Sequence, residues 1–173
     1  GSKVIFLNKY LREYFGSHAN NKNSLILNNG VDLEEFQEKS SKKKEIIFVG
    51  NLERFNEDRG IEFIIEGYSR SKISDSYKLK IIGGPNHIAK ELVKKIENKN
   101  KSLNIEITGR LGRNETVKNI ISAEAGILLN TSDNQHSVFY TSPLKYFEYL
   151  INDLKIIGVD FPSHRALPYS EDI

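Results

Sequence analysis

An α/β protein built on a doubly wound parallel sheet is what this sequence predicts, and three observations predict it. From Glu45 onward, short apolar runs alternate with segments of helical period. The first of these apolar runs, Ile46 to Val49, is continuous, as befits a strand covered on both faces. Four of them end directly in small or polar residues: Gly50-Asn51, Gly83-Gly84-Pro85, Gly109-Arg110 and Asn130-Thr131-Ser132. Ligands of such sheets sit at the carboxyl ends of the strands near a switch in strand order, so these turns predict a cleft on one rim. Glycines after strands also serve simply as tight turns, and that plainer reading stands beside the first.

Taken in order, Lys3 to Asn8 reads as a short buried strand and Lys9 to Phe15 as a helix closed by Gly16. The Asn-rich stretch from His18 to Ser24 holds no packed element. Leu25-Ile26-Leu27 is a second strand, ending at Asn28-Asn29-Gly30, where Gly30 supplies a positive φ. Asp32 caps a turn over Leu33 to Phe36, and Gln37 to Glu45 is a charged connector whose Lys42-Lys43-Lys44 run reads as solvated. Next come a strand over Ile46 to Val49, a helix over Ile61 to Tyr68 and a strand over Leu79 to Ile82. A helix over Ile88 to Glu97 turns Ile88, Leu92, Val93 and Ile96 inward. The alternation closes with a strand over Ile105 to Thr108, a helix over Asn114 to Ala123, strand Gly126 to Leu129, helix Pro143 to Ile151 and strand Lys155 to Gly158. Parallel strands joined by helices imply right-handed crossovers.

Composition narrows the function. With 25 Lys and Arg against 23 Asp and Glu, the net charge of +2 argues against nucleic-acid or membrane-surface binding as the main activity. Cysteine is absent, which excludes disulfide frameworks and thiolate metal sites. The four His, at 18, 87, 136 and 164, lie far apart with no ligand spacing and read as surface or turn residues. No metal site, P-loop, three-glycine dinucleotide fingerprint or nucleophile elbow is present. No run reaches membrane-spanning length. Gly1-Ser2 reads as a cloning scar and Met is absent, so a piece of a longer protein is expected.

The stretch from Thr141 to Asn152 carries the most chemistry. Ser142 offers an N-capping hydroxyl and Pro143 suits the first helical position, which starts a helix with Leu144, Phe147 and Leu150 inward. Lys145 and Glu148 fall on a neighbouring face near its N-terminus. Free N–H groups, the helix dipole and Lys145 suit a phosphate, and Glu148, placed deeper, suits hydroxyls. A solvated Lys/Glu pair on an ordinary helix is the plain alternative.

Several segments, in this order and at these intervals, resemble a known family. Asn28-Asn29-Gly30-Val31-Asp32 followed by Phe36, Ile47-Phe48-Val49-Gly50-Asn51-Leu52, Arg59-Gly60, and Ser142-Pro143-Leu144-Lys145-Tyr146-Phe147-Glu148-Tyr149 are similar to motifs of the C-terminal, nucleotide-sugar-binding domain of GT-B-fold glycosyltransferases, family 4. The resemblance implies a Rossmann-like sheet forming the C-terminal half of a GT-B fold. Residues 1–36 would be the end of an N-terminal domain and a linker, and residues 37–173 the donor-binding domain, C-terminally incomplete.

The implied activity is transfer of a sugar, with retention of configuration, from an NDP-sugar (UDP-sugar foremost) to a glycan or lipid-linked acceptor held by a missing N-terminal domain. No cofactor or metal is implied, and the absence of a D-x-D motif agrees. Glu148 matches the carboxylate that accepts from both ribose hydroxyls, while Lys145 and Arg59 match cations that offset charge on the leaving diphosphate. Arg110 and Leu111 match the loop that reads the base, and Gly83 and Gly84 line the cleft wall. Gly50, Asn51, Tyr140, Thr141, Ser142, Pro143 and Leu144 complete the implied donor site. Three departures stand out: Tyr140 replaces a sugar-contacting Glu, with Asp133 as substitute; Asn51 replaces an Arg, with Arg54 as substitute; and Asn152-Asp153-Leu154 replaces a small-residue turn. Catalytic residues from the missing domain, a cytoplasmic site including the inner membrane face, and an inert isolated fragment are also implied. An NDP-sugar epimerase of the same fold and a non-catalytic nucleotide-binding module are the alternatives.

Overall fold

The computed structural model describes residues 3–16, 23–54, 57–99, 102–133 and 135–172. Its centre is a five-stranded, all-parallel sheet of β3 (Lys43–Val49), β6 (Lys78–Ile82), β7 (Ile105–Gly109), β8 (Ala123–Leu128) and β9 (Lys155–Gly158), in the spatial order β7-β6-β3-β8-β9. Helices α2 (Ile61–Arg70) and α3 (Asn86–Lys99) carry the chain outward from β3 to β7; α4 (Arg113–Ser122) brings it back to β8 on the other side of β3. The reversal of direction leaves a crevice at the carboxyl end of β3.

Alternation along β3 builds both cores at once. Ile46 and Phe48 join Leu52, Ile61, Tyr68, Leu79, Ile81, Ala89 and Leu92 on the α2/α3 face. Ile47 and Val49 join Ile120, Tyr146, Phe147, Tyr149, Leu154 and Ile156 on the other, beneath α4 and α5 (Leu144–Leu150). Covering on both faces explains the uninterrupted apolar run that sequence alone shows.

Outside this sheet, β1 (Val4–Phe6) pairs in parallel with β2 (Ser24–Ile26), joined through α1 (Lys9–Tyr14). A short hairpin of β4 (Glu53–Arg54) and β5 (Glu57–Asp58) precedes α2, and α6 (Pro162–Arg165) follows β9. Among the described residues no helix is long and apolar enough to cross a membrane.

Several local expectations need correction. The first strand is buried only at Phe6: Val4 and Ile5 are exposed, and Asn8 leaves the strand to cap α1 by accepting from the Leu11 N–H at 2.9 Å. Gly30 does not take a positive φ; Gly60 does (φ 77), capping α2 instead. β8 begins at Ala123, immediately after α4, because Ala123 and Ala125 pair with β3. The lysine run is not wholly solvated either. Lys42 donates to the carbonyls of Ala123 at 2.9 Å and Asn152 at 2.6 Å, and Lys43 and Lys44 open β3. His164 is 2% exposed rather than a surface residue, its ring held between β8 and β9 by hydrogen bonds; His87 and His136 are exposed, and His18 lies outside the described residues.

Candidate functional site

Three glycine turns meet at the carboxyl rim of the sheet. The Gly50 N–H donates to the Ile82 carbonyl at 3.0 Å, the Leu52 N–H to Gly84 at 2.8 Å and the Gly83 N–H to Gly109 at 2.9 Å. Backbones stand so close that a Cβ on Gly83 would lie 1.8 Å from the Gly50 oxygen. Gly109 holds a left-handed φ of 74, and the Arg110 N–H that follows donates to the Asn86 side chain at 3.0 Å.

Above these turns opens a cleft of about 490 Å³. Gly50, Asn51, Gly83, Gly84, Arg110, Leu111 and Lys145 line it, together with Arg113 and Thr116. Seven of the residues singled out from sequence thus meet on one wall, drawn from the ends of β3, β6 and β7 and the start of α5. The Gly50 backbone is covered by Arg59, whose Nη1 lies 3.3 Å from where a Gly50 Cβ would be; Arg59 also donates to the Leu129 carbonyl at 2.9 Å and contacts Asn130 Oδ1 at 3.5 Å. This holds the guanidinium at the cleft's edge.

The helix expected at Ser142 starts one residue later than the sequence suggests. Pro143, with ψ of 123, is its cap, and its ring offers no capping hydrogen bond. Ser142 Oγ instead accepts from the Asn29 N–H at 3.3 Å, and its carbonyl accepts from Asn29 Nδ2 at 2.6 Å. The distant Asn29 outcompetes the local cap. The inward face shifts accordingly: Tyr146, Phe147 and Tyr149 are buried, Leu150 packs partly, and Leu144 is 57% exposed.

Glu148 lies on that buried side, 5% exposed. Its Oε2 accepts from Lys145 Nζ at 2.6 Å and its Oε1 from Arg113 Nη1 at 2.9 Å, so this is no solvated pair. A second carboxylate, Glu35 in the 3-10 helix Leu33–Phe36, takes the other edge of Arg113, with Nε at 3.1 and 3.2 Å and Nη2 closer still. Hydrogen bonding to Glu35 first, then to Glu148, holds the guanidinium charged beyond its ordinary range against the cost of burial. The same contact holds the Glu35 carboxyl below its usual range.

The remaining implied donor residues are not on the cleft's lining. Thr141 is bound into a polar knot, its Oγ1 contacting Asn130 Nδ2 at 3.3 Å and Ser163 Oγ at 3.4 Å, while its carbonyl accepts from Asn8 Nδ2 at 3.2 Å. Tyr140 ends a π-helical turn, His136–Tyr140, and packs on Tyr14 of α1 with ring centroids 5.3 Å apart. Asp133 is exposed, and the side chain of Arg54 lies outside the described residues. Two residues escaped the sequence reading, Arg113 and Glu35. One signal was present: a cation opening a helix opposes the dipole and calls for a compensating carboxylate. Nothing local indicated which one.

The fold, a parallel sheet flanked by helices, is similar to that found within solved glycosyltransferase structures. Among solved structures, the chain is similar to AviGT4, a glycosyltransferase involved in avilamycin A biosynthesis, at 12% identity and a TM-score of 0.63, covering 93% of this chain and 45% of that one. It is similar also to S. aureus TarM, in a complex with fondaparinux, alpha-GlcNAc-glycerol and UDP, at 18% identity and a TM-score of 0.62, covering 92% and 30%. A third is the lipopolysaccharide outer core galactosyltransferase WaaB, at 16% identity and 0.63, covering 93% and 44%. The chain thus spans less than half the length of these structures. No protein-family model matches the sequence, and no curated protein matches it.

Proposed function

We propose that this chain is the donor-binding part of a glycosyltransferase, holding an NDP-sugar whose sugar passes to a glycan or lipid-linked acceptor on another part of the whole protein. Residues 37–173 form the donor domain in this reading and residues 1–36 the end of its neighbour with the linker. The observation that carries it is Glu148, a buried carboxylate held between two cations, Arg113 and Lys145, that both line a glycine-walled cleft. Such a group suits the ribose hydroxyls. Lys145 and Arg59 then offset charge on the leaving diphosphate, with no metal or cofactor required for that role. UDP is the first nucleotide to try, since the structurally similar TarM was solved with it. Cytoplasmic placement, the inner membrane face included, belongs to the same proposal.

Calorimetric titration with UDP, GDP, ADP and UMP tests the reading, with Glu148→Ala alongside. A diphosphate preferred over UMP, and weakened by about 1 to 3 kcal/mol in the variant, is the expected result. Absence of binding, or an unchanged dissociation constant in the variant, would overturn it. A second reading, a nucleotide-binding module without turnover, draws on one observation: Tyr140, where the family has a sugar-contacting carboxylate, is engaged with Tyr14. Donor hydrolysis or transfer by the whole protein excludes that module.

A further inference from the structure

Among the described residues Glu148 is the one buried carboxylate. An ion in that position must be paired, and its two oxygens are each met by one cation, Arg113 Nη1 at 2.9 Å and Lys145 Nζ at 2.6 Å. A carboxylate has about four acceptor sites, so roughly two remain, one on each oxygen. Two adjacent acceptors are what a pair of neighbouring hydroxyls requires. The partner that leaves them in this state is Arg113, and Arg113 is itself fixed from its far edge. Its Nε and Nη2 grip Glu35, and the Phe36 ring lies 5.5 Å from its Cζ. A planar fork can span two carboxylates in this way; a lysine ammonium on its flexible stem cannot hold both edges.

We propose that Arg113 is a positioning residue for recognition of the ligand's hydroxyls, orienting Glu148 from one edge while the Glu35 contact on the other ties that orientation to residues 33–36 remaining docked on α4. The inference rests on the donor reading above. It adds a residue and a dependence on the preceding segment that the reading does not contain.

The test compares UDP with 2′,3′-dideoxy-UDP by calorimetry, using the wild-type chain and Arg113→Gln, Arg113→Lys, Glu35→Gln and Glu148→Ala. Arg113→Gln is expected to weaken UDP on the order of tenfold, the scale of one charged hydrogen bond, and to leave the dideoxy nucleotide unchanged. Arg113→Lys should recover part of the loss by restoring one cation. Glu35→Gln should lose about threefold, as a half-exposed pair would, with the same dependence on the hydroxyls. Equal losses for both nucleotides, or none for UDP, in both Arg113 variants would overturn the proposal; the lysine variant guards against a folding defect in the other. If Glu148→Ala leaves UDP binding intact, the donor reading falls and takes this inference with it. If Glu148→Ala loses hydroxyl-dependent binding while the Arg113 variants do not, only the inference falls.

Discussion

The carbonyl oxygen of Gly50 occupies the space that a side chain on Gly83 would need, 1.8 Å from the Cβ position. Both groups are backbone, locked by the Gly50-to-Ile82 and Leu52-to-Gly84 hydrogen bonds, so neither loop can yield without breaking a turn of the cleft wall. Gly83→Ala is expected to cost at least about 1 to 3 kcal/mol. Urea unfolding followed by circular dichroism measures it; a loss under half a kilocalorie would mean that the loops relax freely.

Lys145 reaches the cleft with its ammonium group on Glu148. Under the proposed function, Lys145→Ala removes a cation from the diphosphate and one of the two partners of Glu148. The expected loss for UDP is roughly tenfold or more, and larger than the loss for uridine. Equal losses on the two ligands, read by calorimetry, would take Lys145 away from the phosphates.

His164 imposes a pH dependence on stability. Its Nδ1 lies 2.7 Å from the Val159 carbonyl, which only accepts, so Nδ1 carries the proton and Nε2 accepts from Asn130 Nδ2 at 3.2 Å. Burial lowers its pKa below the ordinary 6.5, against the opposing effects of the Val159 carbonyl and Asp160. The unfolded chain therefore binds a proton first as pH falls, so the stability present above 6.5 is lost from there down to the folded value. Thermal melts from pH 7.5 to 5 should show wild type losing more Tm than His164→Gln. Parallel slopes would place the acid sensitivity elsewhere.

Tyr149 is fully buried, and among the described residues its hydroxyl has no hydrogen-bond partner within normal geometry; the Val49 backbone acts on it only weakly against burial. Burial accordingly pushes the phenol well above its ordinary range. Deleting an unpaired buried hydroxyl while keeping the ring relieves a desolvation cost, so Tyr149→Phe should gain about 1 kcal/mol. The corresponding rise in Tm is about 2 to 4 °C for a chain of this size. The ring itself is needed where it is: it lies so flat on Gly126 that an added Cβ there would sit 2.4 Å from Cδ2. A Tm that falls in Tyr149→Phe would reveal a partner for the hydroxyl.

Period and punctuation determine much of this protein. The order of the five parallel strands and of the helices between them, the parallel sheet and the glycine turns on one rim are legible in the sequence, because apolar periodicity and glycine placement act within a few residues of chain; the short β4–β5 hairpin is not. The placing of Gly50, Gly83, Gly84, Arg110, Leu111 and Lys145 around one crevice follows from that order together with the topology of doubly wound sheets. What tertiary structure alone decided depends on partners far apart in the chain. Ser142 has the chemistry of a cap, yet Asn29 claims it from 113 residues away. Lys42 belongs to a charged run, yet it closes on two distant carbonyls, at the start of β8 and in the turn after α5. Glu148 and Lys145 look like a surface pair until α5 turns its tyrosine face inward and carries the carboxylate down with it, onto Arg113 and, through that, Glu35. A polar group accepts whichever buried partner lies closest in space, and one chain's local pattern holds no record of that distance.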